Sequence, residues 1–136
     1  MIYIKREDYE GIVAYAIQGL PVEVCGLLGG TIKEEEKRIE AVYYLTNLDA
    51  CSDHFSMDPK EQFQAIRDMR KKGLQMIGNF HSHPESPSRP SGEDKRLAYD
   101  PGIRYLILSL QDRDKPVLNA FAVTNGTVVK EDIVII

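Results

Sequence analysis

Two histidines, a serine and an aspartate stand in residues 81–94, HSHPESPSRPSGED, at a spacing that can do metal chemistry: His81, His83, Ser91 and Asp94 read as HxHx7SxxD. On a strand, residues i and i+2 project to one side about 6.5–7 Å apart, so two imidazoles leaning together can each reach one ion at about 2.0–2.1 Å. The proline-stiffened PESPSRP loop brings the chain back, and Asp94 in the first turn of a following helix can offer a carboxylate oxygen as third ligand. Three protein ligands leave a fourth position open, the mark of a catalytic rather than a structural zinc. Coincidence explains the pattern poorly, since a random chain of this composition would contain it roughly 2 × 10⁻⁴ times. Each residue also has a plainer use. Histidines on strands are commonly half-buried, and Ser-x-x-Asp before a helix is a capping box. For Ser91 the two uses are compatible, because a hydroxyl can accept a backbone N–H and still donate to a developing oxyanion.

Elements must exist to position these groups. Arg6 to Gly19 carries Tyr9, Ile12, Val13, Ala16 and Ile17 at helical spacing, and Gly19 and Pro21 stop it. Cys25 to Ile32 and Ile39 to Leu45 read as strands joined through the charged KEEEKR turn. Leu48 to Met57 is a polar loop of the kind that borders sites. A second helix starts at Asp58 as N-cap with Pro59 in first position and Glu61 completing a capping box, buries Phe63, Ile66 and Met69, and closes at Gly73. Gln75 to His83 is predicted as a strand, Ser91 to Tyr99 as a helix, and Ile103 to Leu110 as a buried strand. Val117 to Thr124 and Thr127 to Ile136 flank Asn125-Gly126, a hairpin signal. These segments imply an α/β class: a mixed β-sheet with helices on its faces, in a single domain spanning residues 1–136.

The 136 residues, 43% hydrophobic and 28% charged, suit one globular core. A formal net charge of -4 gives no electrostatic reason to expect nucleic acid, so a protein or small-molecule partner is expected. The charged MIYIKREDYE start lacks a signal-peptide h-region, and no apolar stretch approaches the about 20 residues of a membrane span. Cys25 and Cys51 show no CxxC spacing and read as reduced thiols of a cytoplasmic protein, with no role assigned to either. His54 reads as an exposed loop histidine, because a fourth protein ligand would close the metal site.

Hydrolysis also needs a carboxylate beside the metal that does not occupy it. Glu23, in PVEVCGLLGG, stands before a buried strand whose glycines suggest a backbone edge bordering a substrate groove. Taken alone, a glutamate there is more often a solvent-facing residue.

With these residues the chain resembles the JAMM/MPN+ metalloproteases, whose pattern is an upstream Glu followed by HxHx7SxxD. Glu23, His81, His83, Ser91 and Asp94 match it without departure. The likeness extends through Glu-x-Cys-Gly-Leu-Leu-Gly-Gly at 23–30, the FSMDP segment at 55–59, GNFHSHP at 78–84 and YLILSL at 105–110. The resemblance implies a cytidine-deaminase-like JAMM/MPN fold, zinc held by His81, His83 and Asp94, Glu23 as general base, and Ser91 at the oxyanion. It further implies cleavage after the C-terminal Gly-Gly of a ubiquitin-like or sulfur-carrier protein, releasing either cysteine or a lysine-linked partner. Two other classes fit the residues themselves. A His/His/Asp set is also the facial triad of non-heme iron oxygenases, and a non-catalytic module could bind ubiquitin-like tails. A zinc deaminase is disfavoured because HxE and PCxxC elements are absent.

Overall fold

A computed structural model describes residues 1–136. Its elements are β1 (Ile2–Ile4), α1 (Arg6–Gly19), β2 (Cys25–Lys33), β3 (Glu36–Leu45), α2 (Pro59–Lys71), β4 (Gln75–His83), α3 (Gly92–Leu97), β5 (Arg104–Ser109), β6 (Val117–Thr124), β7 (Thr127–Glu131) and β8 (Ile133–Ile135). One eight-stranded sheet runs in the order β7-β6-β5-β4-β2-β3-β1-β8. It is mixed: β4 pairs parallel with β5, and β1 parallel with β3 and β8, while the other pairs are antiparallel. The mixed α/β sheet expected from the sequence is therefore the observed architecture.

The alternation of side chains divides this sheet into two faces. On one, α1 contributes Ile12 and Ala16 to a cluster with Ile2, Ile4, Val24, Leu28, Phe80, Leu106 and Leu108, all at most 6% exposed. On the other, α2 contributes Ala65 and Met69 to a smaller cluster with Cys25, Leu27 and Leu45. A register shift between Leu28 and Gly29 opposite β4 reverses the alternation, so Met76 packs with the α2 cluster while Ile77 joins the α1 cluster.

The carboxy-terminal segment is not the single strand expected over 127–136. Strands β7 and β8 are separated by Asp132 alone, yet they occupy opposite ends of the sheet. The sheet therefore curls until its two margins meet, and the Ile2 N–H donates to the Asp132 carbonyl at 2.9 Å. Glu131 closes this seam. Its carboxylate accepts from the Met1 amino group at 2.9 Å, Lys37 Nζ at 3.1 Å and Arg104 Nε at 2.6 Å. Burial alone would raise its pKa, but these three cationic partners outweigh burial and hold the carboxyl at about 2.

Local signals mostly hold, with instructive departures. Helix α1 has the predicted limits, and Asn125 and Gly126 take φ values of 51° and 79°, a two-residue turn pairing Thr124 with Thr127. The charged KEEEKR run is mostly strand, because Lys33 already pairs with Glu36 and only two residues turn. Asp58 caps α2 by accepting the Lys60 N–H at 2.9 Å, but Glu61 completes no capping box; its carboxylate reaches across to Thr46 N at 2.6 Å and Thr46 Oγ1 at 2.9 Å. Phe63, expected in the buried face of α2, is exposed, and Ala65 and Met69 do the packing. Strand β2 is no edge: it is paired on both sides, and its glycines admit close neighbours, Gly26 the Tyr43 carbonyl and the Phe80 ring, and Gly29 the Met69 side chain of α2. No helix is long and apolar enough to cross a membrane.

Candidate metal centre

Strand β4 ends with His81 and His83 on the face away from α1, and both are buried. The loop that follows is tied to β5: Ser88 Oγ donates to the Ile107 carbonyl and Ser109 Oγ to the Ser86 carbonyl, each at 2.6 Å. The chain then enters α3, where Ser91 is the N-cap. Ser91 Oγ accepts the Asp94 N–H at 3.0 Å and the Ser91 N–H donates to Asp94 Oδ2 at 2.9 Å, a reciprocal capping box. This cap fixes the Asp94 carboxylate so that Oδ2 faces both histidines.

Three ligand atoms meet as a result. His81 Nε2 lies 3.1 Å from His83 Nε2, and each lies 3.2 Å from Asp94 Oδ2. Tetrahedral ligands about 2.0–2.1 Å from a zinc stand about 3.3–3.4 Å from one another, so the triangle has the size of one face of such a site. Its donor set agrees. His83 Nδ1 lies 2.9 Å from the Pro87 carbonyl, which can only accept, so Nδ1 carries a proton and Nε2 is the nitrogen turned inward. Burial disfavours a charged ring there, but the Asp94 carboxylate outweighs it and raises the affinity of this site for a cation, proton or metal. A lone pair and a carboxylate oxygen in contact repel unless a cation stands between them. Near-equal separations among all three atoms suit one shared cation better than a single proton. Burial pushes the His81 imidazole towards its neutral, metal-binding form. Its Nδ1 is buried without a partner, and the ring is held instead by stacking on Phe55, with centroids 4.6 Å apart and planes at 29°.

Glu23 stands beside this group. Cys25 pairs with His81, and Val24 and Ser82 exchange two hydrogen bonds, Val24 N–H to Ser82 Oγ at 2.9 Å and Ser82 N–H to the Val24 carbonyl at 3.0 Å. Extending that antiparallel register by one residue sets Glu23 opposite His83 on the same face. The loop before α2 pins its backbone: Glu23 N–H donates to the Cys51 carbonyl at 2.7 Å, and Asn47 Nδ2 donates to the Glu23 carbonyl at 3.0 Å. Glu23 is only 3% exposed, against the ordinary expectation for a lone glutamate. Burial pushes its carboxyl up to about 8, with the nearby His83 pulling the other way. A divalent cation held by the triad would pull further in that direction.

His54 is not part of the triangle. It pairs with Asp53 at 2.9 Å and with Asp49 at 3.6 Å in the exposed loop, where Cys51 Sγ donates to Asp53 Oδ1 at 3.0 Å. Cys25 and Cys51 are both free thiols. Sequence reasoning placed Phe55 and Ser82 inside matching segments but gave them no role; Phe55 stacks on His81, and Ser82 holds the Glu23 strand through Val24. Asn79 was likewise given no role, although it shares the alternation of His81 and His83 and so could have been singled out from the strand period.

The family of prokaryotic homologs of the JAB domain matches residues 5–124. The chain is 27% identical to the CysO-cysteine peptidase of Mycobacterium tuberculosis over 133 residues, 98% of this chain and 90% of that protein. It is 32% identical over 115 residues to the desampylase of Haloferax volcanii, covering 81% of each chain. Among solved structures, a protein of Desulfitobacterium hafniense superposes with a TM-score of 0.92 at 50% identity, over 99% of this chain and 92% of the other.

Proposed function

We propose, from the premise that this chain belongs to the family of prokaryotic homologs of the JAB domain, that it is a zinc-dependent peptidase or isopeptidase. Its substrate would be the bond after the C-terminal Gly-Gly of a ubiquitin-like or sulfur-carrier protein. The hydrolase class is supported by relatives named as a CysO-cysteine peptidase and a desampylase. The observation that carries the reading is the triangle of His81, His83 and Asp94 at 3.1–3.2 Å with the buried Glu23 beside it.

His81, His83 and Asp94 would hold the ion in this reading. Bound there, zinc supplies Lewis-acid polarisation of the scissile carbonyl and lowers the pKa of water to about 7. Glu23 takes a proton from the attacking water and returns it to the leaving amine, a role suited to a carboxyl whose affinity for protons is raised by burial. Ser91 uses a lone pair to cap α3 and has its O–H proton left to donate to the carbonyl oxygen as that oxygen gains charge. Residues 1–136 act as one catalytic domain. The two free thiols agree with a reducing, cytoplasmic setting.

The test is incubation of zinc-loaded protein with ubiquitin-like and sulfur-carrier proteins extended past Gly-Gly, read by mass spectrometry with and without a chelator. The expected product is the carrier ending in Gly-Gly, formed only without chelator. Intact substrates throughout, with metal content verified, would overturn the reading.

A further inference from the structure

A cavity of about 350 Å³ opens beside the triad, and the proposed reaction does not account for it. Its walls include Phe55, Met57, Asn79, Tyr105, Ile107 and Val123, and it touches the metal group at His81 and Asp94. Apart from Asp94, already engaged by the histidines and the Ser91 cap, no side chain on its wall is charged. Two wall residues carry a buried atom without a hydrogen-bond partner, Asn79 at Oδ1 and His81 at Nδ1. Polar groups left unpaired inside a protein are costly, and their place beside the metal ligands is explained if a ligand pairs with them. At the mouth, Leu97 is 48% and Tyr99 82% exposed, and α3 buries none of its residues. Apolar side chains therefore stand uncovered at the rim of a cavity whose lining is mainly apolar, with Ser56 and Gln62 its other neutral polar side chains besides Asn79.

The position of Glu23 says which part of the substrate belongs there. Glu23 returns the proton to the leaving amine, and it stands opposite His83; neither residue lines the cavity. The amine thus departs on the Glu23 side, and the acyl side of the scissile bond lies towards the cavity. Two glycines offer no side chain to anchor, so binding energy on this side must come from the residue before them. At about 3.3 Å per extended residue, that residue's side chain begins roughly 7 Å from the terminal glycine.

We propose that this cavity is a specificity pocket for a large apolar side chain, of Leu, Met or Phe size, on the residue preceding the Gly-Gly of the carrier tail, with the Asn79 side-chain amide turning to hydrogen-bond the backbone of that tail. The proposal rests on the peptidase reading and adds the preference for one kind of tail. Lysine, arginine and acidic side chains are rejected because no wall group would neutralise them once they lose water.

The test uses zinc-loaded protein and one carrier whose residue before Gly-Gly is Leu, Phe, Ala, Lys or Asp. Both kcat/KM for cleavage and Kd for matching uncleavable tail peptides are measured. Leu or Phe tails are expected to exceed Ala by roughly 10–200-fold in kcat/KM, the range a hydrophobic pocket discriminates, with Lys and Asp below Ala. Val123→Trp, which fills the pocket, collapses that ratio towards equality. Asn79→Ala weakens all tails alike, in Kd and KM more than in kcat. Metal content and melting temperature of each variant establish that it is folded. Equal Kd and kcat/KM across the five tails would overturn the pocket while leaving the hydrolase standing. The expected Kd ranking without any cleavage would overturn the hydrolase and leave the pocket. Unchanged tail binding in Asn79→Ala would remove the asparagine from the proposal.

Discussion

The two faces of the sheet are made by the same strands and are built on opposite principles. On β4, Phe80 turns towards α1 and is sealed among apolar side chains with the Tyr44 ring edge-on to it, and it has no polar atom to satisfy. One residue on, His81 turns to the other face, where Glu23, His81 and His83 are buried together and His81 Nδ1 and Asn79 Oδ1 have no partners. The α1 face gains free energy from removing apolar surface from water, at about 25 cal/mol per Å². The other face gives some of it back by burying groups that water would have solvated. Polar groups are retained at that expense where they have something to bind. Past its bulge, a single strand thus divides the labour of stability and chemistry between alternate residues.

The contrast can be broken by substitution. The largest effect is expected for Glu23→Gln: turnover falls by about 10²–10⁴-fold, the usual contribution of a general acid-base. Zinc content stays the same, and the metal-free protein is no less stable, because a carboxyl with pKa about 8 is already mostly protonated at pH 7. Product formation, metal analysis and denaturant unfolding check the three parts. A large loss of stability would mean that Glu23 is structural. On the opposite face, Phe80→Ala should lower unfolding free energy by about 3–5 kcal/mol through the cavity it leaves. Urea titration measures it, and a loss below about 1 kcal/mol would show that the α1 face is not the main stabilising layer.

A smaller effect tests the seam, which belongs to neither face. The Glu131 carboxyl sits at about 2 when folded, below its ordinary value of 4.5. Because the folded pKa is depressed, its contribution is fully present above about pH 4.5 and is lost as pH falls towards 2. For this largely but not fully buried carboxylate the contribution is on the order of 1–3 kcal/mol. Glu131→Gln should flatten the fall in melting temperature between pH 5 and pH 3. An unchanged pH profile would show that its three cations contribute nothing to holding the margins together.

Much of this was legible in residue order. The limits of α1, the Asp58 cap, the Asn125-Gly126 turn and the strand over Gln75–His83 follow from local rules that the backbone obeys wherever it lies. The spacing of His81, His83, Ser91 and Asp94 rests on the same basis, since strand alternation and a capping box are short-range. What was misread involves partners distant in sequence. Glu61 looked like a capping residue and serves Thr46 instead; the β2 glycines looked like an edge and lie between strands; the terminal segment looked like one strand and serves both margins of the sheet. The three-residue β1 is too short to show a period.

Sequence alone determined the cluster of ligand-type residues and the local frames that hold each one, because those depend on neighbours within a turn or two. Only the folded chain decided that Glu23 lies buried opposite His83 rather than in solvent, that Phe55 stacks on His81, and that an apolar cavity with an unsatisfied Asn79 opens next to the triad. Burial and register are properties of strands paired across 58 residues of chain, as between Val24 and Ser82, and no window along the sequence contains both partners.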